Sequence, residues 1–335
     1  MGPASVPLVD VWRGDIVESR HTGHAVICDV DGAVLRSWGD PEAVIYPRSS
    51  CKMIQALPLL TSGAADKYGL GSEALALACA SHNGARIHTE RVSRWLGQLG
   101  LGEGDLRCGP QEPADLPARD AMIREGEAPC QIHNNCSGKH TGFLTLARHM
   151  GAGPEYVEID HPVQEAVRTA FEEATGVQSP GYGIDGCSAP NFATTLRGLA
   201  RSMAWFATAA GRSDRQSQAA VRLTEAMMAH PELVAGEGRA CTRLMRAMEG
   251  RAAIKTGAEG VFVAILPERG LGVAVKIADG ATRASECTIA AILMSLGVLD
   301  PDAPEARAYA YAPLENRRGI VAGEIRPVHS LLEPV

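Results

Sequence analysis

The sequence predicts an α+β fold: one antiparallel sheet built from both ends of the chain, with a helical region packed beside it. Three observations carry this expectation. Strand-like segments bounded by turn signals lie near the N-terminus and again in the C-terminal third. Apolar residues at helical spacing fill the middle. Strands and helices do not alternate, as the βαβ units of a doubly wound fold would demand.

Taken in order, His24–Val30 and Ala33–Trp38 flank Asp31-Gly32, a hairpin turn signal. Ser49 opens a periodic run of Met53, Ile54, Leu57 and Leu60, with Pro47 before it as a helix start allows and Pro58 expected to kink it. Thr89–Leu99 puts Val92, Trp95, Leu96 and Leu99 on one face. Gly102–Pro129, rich in Gly, Pro and charge, lacks clear periodicity and reads as an irregular excursion. The segment beginning His133–His140 opens a helix to Met150. Further helices are expected over Pro162–Thr175, Pro190–Ala210, Gln216–Ala229 and Ala240–Met248. Gly260–Leu266 and Gly272–Ala278 flank Pro267–Leu271 as a second hairpin, and Arg318–Ile325 is a candidate last strand. Residues about 7–48 and 250–326 thus supply the sheet, about 49–249 are mostly helical, and 1–335 reads as a single unit.

Composition narrows the class. With 335 residues, 45% hydrophobic and 21% charged, the chain is ordinary globular material and not disordered. A net charge of -7 without a basic stripe argues against nucleic acid. The longest apolar run, Thr288–Leu299, falls short of the roughly 20 residues a membrane helix needs. Met1–Pro7 lacks a basic start and apolar core, so no secretory signal is expected. Nine cysteines without tight paired spacing read as reduced thiols of a cytoplasmic protein. Cys28 and Cys79 lie in apolar stretches and are expected in the core. The basic residues are lopsided: 27 arginines against five lysines, at 52, 67, 139, 255 and 276. Lysine can lose its proton inside a protein and arginine cannot, so each lysine is worth weighing.

Ser49 and Lys52 are three apart at a helix start, where their side chains share a face. A desolvated Lys52 amine would take the Ser49 hydroxyl proton. An N-cap serine beside a solvated lysine is the bland alternative. Ser81-His82-Asn83 and Lys255-Thr256-Gly257 follow downstream. Ser-x-x-Lys, Ser-x-Asn and Lys-Thr-Gly, in that order, is the motif order of penicillin-recognising serine hydrolases. One serine–lysine pair supplies nucleophile and base; the second relays a proton to the leaving group. The backbone N–H groups of Ser49 and Ala258 are candidate oxyanion donors. A second polar cluster carries metal-ligand types: His133, Cys136, His140, Asp185 and Cys187. Their spacing is not a zinc-finger pattern, and buried free cysteine is the commoner state.

Arg48–Lys52, Cys79–Asn83, Asn134–His140, Gly183–Pro190 and Lys255–Gly260 together resemble the asparaginase II family, the rhizobial-type, class 3 L-asparaginases, from about Pro7 to about Arg326. The motifs around Cys136 and Cys187 are the specific ones. The resemblance implies a fold like that of serine β-lactamases and glutaminases, usually a homodimer, and hydrolysis of L-asparagine to L-aspartate and ammonia. It implies two tandems, Ser49 with Lys52 and Ser81 with Lys255, with Ser49 the nucleophile. It implies one zinc per subunit held by Cys136, Lys139, Cys187 and water, aiding substrate binding more than attack. Arg48, His140 and Asp185 match positions near substrate and metal; Asn83 and Ala258 complete the candidate substrate-binding set. The rivals are a β-lactam or D-peptide serine hydrolase and a metal-dependent, non-enzymatic amino-acid-binding protein on the same scaffold.

Overall fold

A computed structural model describes residues 4–335, and its twelve strands and the helices between them give an α+β architecture. At the N-terminus, β1 (Val6–Arg13) buries Leu8, Val9 and Val11, then turns at Gly14 into the long β2 (Ile16–Cys28). β3 (Val34–Trp38) completes the expected hairpin, pairing Ala25 with Trp38. Four short strands follow in the middle: β4 (Val44–Ile45), β5 (Tyr182–Ile184), β6 (Pro190–Phe192) and β7 (Thr194–Thr195). The C-terminal part supplies β8 (Ala253–Thr256), β9 (Val261–Leu266), β10 (Leu271–Ile277), β11 (Pro313–Glu315) and β12 (Val321–Pro327).

The main sheet runs β11-β12-β1-β2-β10-β9-β8, every pairing antiparallel, with β3 also on β2. β1 pairs with residues 16–23 of β2 and β3 with residues 25–28, so the two share one edge of that strand while β10 takes the other. The two chain ends therefore meet at β1–β12 and at β2–β10, as expected. Every residue of β9 is buried. Successive side chains point to opposite faces, so both faces of the sheet centre are covered. Helices Leu196–Ala207 and Thr282–Ser295 both pack on β9 and β10. The first comes so close that a Cβ at Gly272 of β10 would lie 2.1 Å from the Ala200 carbonyl oxygen.

The middle is helical with three departures. The expected helix over Pro190–Ala210 starts only at Leu196, because Pro190–Phe192 pairs with Tyr182–Ile184 and the Thr195 side chain then caps the helix by accepting from the Gly198 N–H. The Gly102–Pro129 excursion contains a helix, Leu116–Glu125, capped by Asp115 and ended by Gly126. Only Met122 of it is buried, so it carries no apolar stripe to read. The run after Ser49 is broken rather than kinked: a 3₁₀ turn (Arg48–Cys51), then helices Lys52–Gln55 and Leu57–Thr61. The strands β1, β4, β5, β6, β7, β8 and β11 have no counterpart among the strands the sequence predicts; each is short or ends on polar residues. Arg86–Gln98, Ser137–Met150, Pro162–Thr175, Arg215–Ala229 and Ala240–Ala247 fall where helices were expected. Among the described residues no helix is long and apolar enough to cross a membrane.

Candidate active site

Five segments converge beside the β8 edge of the sheet. The 3₁₀ turn holds Arg48 at φ 53°, Ser49 half-buried, and Ser50 pinned by its hydroxyl donating to the Pro47 carbonyl at 2.7 Å. Lys52 follows, 1% exposed. Helix Ser72–Ala78 ends just before Ser81, whose N–H donates to the Val234 carbonyl at 2.9 Å. Helix Ser137–Met150 presents Lys139 and His140 inward, with Cys136 at its N-cap position. The β5–β6 hairpin carries Asp185 and Cys187 in its turn, with Ser188 at φ 69°. β8 delivers Lys255.

At the centre, Ser81 lies between two buried lysines. Lys52 Nζ donates to Ser81 Oγ at 3.0 Å and Lys255 Nζ donates to it at 2.8 Å. Lys255 Nζ also reaches the Thr256 carbonyl at 2.8 Å. Burial, then the charge of Lys52, brings the Lys255 amine down to about 7. Lys52 Nζ donates as well to the Ala80 carbonyl and lies 3.1 Å from Cys136 Sγ. The Lys52 amine thus faces Ser81, whereas the sequence reading had it meet Ser49; Ser49 Oγ makes no hydrogen bond among the described residues.

Cys136, Lys139 and Cys187 adjoin this centre. Lys139 Nζ is 3.1 Å from Cys187 Sγ, and the Cys136 thiol contacts both Asn135 Oδ1 (2.8 Å) and Cys187. The Cys136 hydrogen bond holds Cys187 well below the ordinary thiol range against burial, and Lys139 assists. Cys136, the donor in that pair and buried, is pushed up to about 12. Burial works against the Lys139 ammonium, but Cys187, Cys136 and Asp185 together raise it above the ordinary lysine range. Among the described residues no three His, Cys, Asp or Glu converge as a metal cluster. The donor set is instead two sulfurs and an amine. It suits a thiophilic ion such as zinc once Cys136 and Lys139 give up protons. Beside it, His140 Nε2 is buried without a hydrogen-bond partner. His133 belongs elsewhere: its Nδ1 lies 3.2 Å from Cys130 Sγ.

Arg48 pairs with Asp185, Nη2 to Oδ1 at 2.7 Å and Nε to the same oxygen at 2.9 Å. Asn83 turns away from the lysines: its Nδ2 donates to Asp115 Oδ2 at 3.3 Å, tying the start of helix Leu116–Glu125 to the site. Ala258 is exposed at the end of β8. One participant carried no sequence signal. Tyr156, fully buried, accepts from the Arg107 N–H at 2.7 Å and hydrogen-bonds His140 Nδ1 at 2.9 Å, fixing the imidazole. A lone tyrosine in an irregular segment has no motif to betray it.

The family model for L-asparaginase II matches residues 9–327. The chain belongs to the L-asparaginase II family. It is therefore an asparaginase-type amidohydrolase with a small-molecule substrate. No curated protein matches this family member. Solved structures similar to it include a putative β-lactamase from Bacteroides dorei (14% identity, 76% of this chain and 84% of that one, TM-score 0.44). Another is Mglu (14%, 88% and 72%, TM-score 0.45). A third is an octameric penicillin-binding protein homologue from Pyrococcus abyssi (12%, 81% and 73%, TM-score 0.36).

Proposed function

We propose that this L-asparaginase II family member hydrolyses the side-chain amide of L-asparagine to L-aspartate and ammonia through a serine–lysine relay. The observation that carries the reading is Ser81 held between Lys52 and Lys255, two buried amines that a solvated, bland pair of lysines would not provide. Ser49, at the head of the turn and half-buried, is the nucleophile. Its Oγ attacks the amide carbon and its proton passes to Lys52, whose amine turns from Ser81 to Ser49 for this step. The backbone N–H groups of Ser49 and Ala258 hold the oxyanion. As the tetrahedral intermediate collapses, ammonia leaves with a proton carried through Ser81, replenished by Lys255. An aspartyl ester remains on Ser49. Lys52 first returns its proton through Ser81 to Lys255; water then attacks the ester, Lys52 takes the water proton and gives it to Ser49 Oγ as aspartate departs.

In this reading Cys136, Lys139 and Cys187 hold one zinc. When bound, zinc would supply a positive charge that helps seat the substrate. His140, fixed by Tyr156, faces that centre with Nε2 available. Arg48 and Asp185 orient substrate at the mouth. Homodimeric assembly belongs to the same proposal, as does a cytoplasmic location, with which nine free thiols accord.

A second reading is favoured by two hydrogen bonds. Ser81 is the hydroxyl already bonded to both amines, so Ser81 itself would attack. Side-by-side incubation of the purified protein with L-asparagine, L-glutamine and a chromogenic β-lactam tests the proposal. Ammonia from L-asparagine without a β-lactam acylation burst is expected. A burst with no ammonia supports a β-lactam hydrolase. Binding of L-asparagine without turnover supports a non-enzymatic binding protein. Activity surviving Ser49→Ala but not Ser81→Ala supports attack by Ser81.

A further inference from the structure

The relay uses Lys255 from the segment Lys255–Gly260 and leaves Glu259 idle; Lys276, on β10, is idle too. The two meet. Lys276 Nζ donates to the Glu259 carbonyl oxygen. Glu259 stands at φ 58°, a left-handed conformation that a residue with a side chain keeps only where its surroundings impose it. Gly280 leaves room for the carboxylate, since a Cβ there would lie 2.8 Å from Glu259 Oε2.

The carboxylate so held is 68% exposed, and its Oε1 lies 4.0 Å from Arg48 Nη1. Arg48 spends Nε and Nη2 on Asp185, which leaves Nη1 turned to Glu259. Arg48 immediately precedes Ser49, and Glu259 immediately follows Ala258. A quarter-exposed cation with one nitrogen to spare and an open carboxylate thus stand side by side at the mouth of the site, complementary to the carboxylate and ammonium of a free α-amino acid. Mere neutralisation of Arg48 would not require a third residue to lock the backbone of Glu259.

We propose that Glu259 is a specificity-determining residue that reads the α-ammonium group of the substrate, and that Lys276 is the positioning residue that holds it at the mouth. The inference rests on the reading of the substrate as a free amino-acid amide, and it selects against amides that lack or block the α-amine. Succinamate, which is asparagine without its amine, is the probe.

Kinetics on L-asparagine and succinamate, with calorimetry on L-aspartate and succinate, test this in the wild type, Glu259→Gln, Lys276→Met and Lys276→Arg. The wild type is expected to prefer the amine-bearing member of each pair. Glu259→Gln should cut that preference about tenfold or more, through loss on the amine-bearing member. Lys276→Met should raise KM for L-asparagine roughly tenfold with kcat within a few-fold, and Lys276→Arg should recover most of the loss. An undiminished preference in Glu259→Gln overturns the proposal. So does a Lys276→Met variant that weakens both members of each pair equally. If the wild type releases no ammonia from L-asparagine, the functional reading fails separately. The aspartate–succinate comparison then decides the inference alone: a preference lost in Glu259→Gln supports it, and no preference in the wild type overturns it.

Discussion

Lys255 is buried at the centre of the relay, and its burial has a thermodynamic signature. Its amine titrates at about 7 in the fold against a usual value of 10.5. Between those values the unfolded chain binds a proton that the folded chain does not, so stability falls as pH drops from about 10.5 to about 7 and is level below. Lys255→Met should therefore abolish turnover yet raise stability near pH 7, by an amount on the order of a few kcal/mol. The gain should vanish toward pH 10.5. Denaturant unfolding at several pH values checks both the sign and the trend; a destabilised Lys255→Met at pH 7 contradicts it. Lys255→Arg keeps charge but gives up proton exchange, so it should also lose turnover. The scarcity of lysine already marked these positions in the sequence. The pairing was only half legible. Ser-x-x-Lys spacing suggested that Lys52 would face Ser49, but the helix after Ser49 breaks within two turns and the amine swings to Ala80, Ser81 and Cys136. That direction is a property of the tertiary packing and leaves no trace in local spacing.

Among the elements, helix Leu196–Ala207 lies against the backbone of β10. A Cβ at Gly272 would lie 2.1 Å from the Ala200 carbonyl oxygen and 2.3 Å from the Ala204 nitrogen, both backbone atoms that cannot swing aside. Gly272→Ala should force helix and sheet apart and cost about 3 kcal/mol, read as a lower urea midpoint with unchanged slope. An unchanged midpoint would mean that the helix slides freely on the sheet. The hairpins were legible because turn signals bracket apolar runs, as at Pro267–Gly270 between β9 and β10. The β5–β6 hairpin was not, although it carries Asp185 and Cys187. Its strands are three residues each, too short for alternation to register, and the helical period just downstream absorbed Pro190. Helix Leu116–Glu125 was missed for the opposite reason: it buries only Met122, so capping by Asp115, not an apolar face, marks it.

At the scale of the whole molecule, the chain ends close one sheet and its β8 edge carries the relay, so site and fold share a single framework. The zinc proposal belongs at this scale, because a ligand that binds only the folded chain stabilises all of it. Metal analysis should find one zinc per chain; chelation should lower the melting temperature, and Cys187→Ser should prevent both the loading and the shift. A melting temperature indifferent to chelator in zinc-loaded protein contradicts the assignment of Cys136, Lys139 and Cys187. The central claim remains the relay through Ser81. Ammonia release from L-asparagine by Ser81→Ala, beside the wild type, measures it most directly. The account predicts a folded variant slowed by roughly 10³-fold, the usual worth of a positioned proton donor. A Ser81→Ala variant that releases ammonia within a few-fold of the wild-type rate would contradict it.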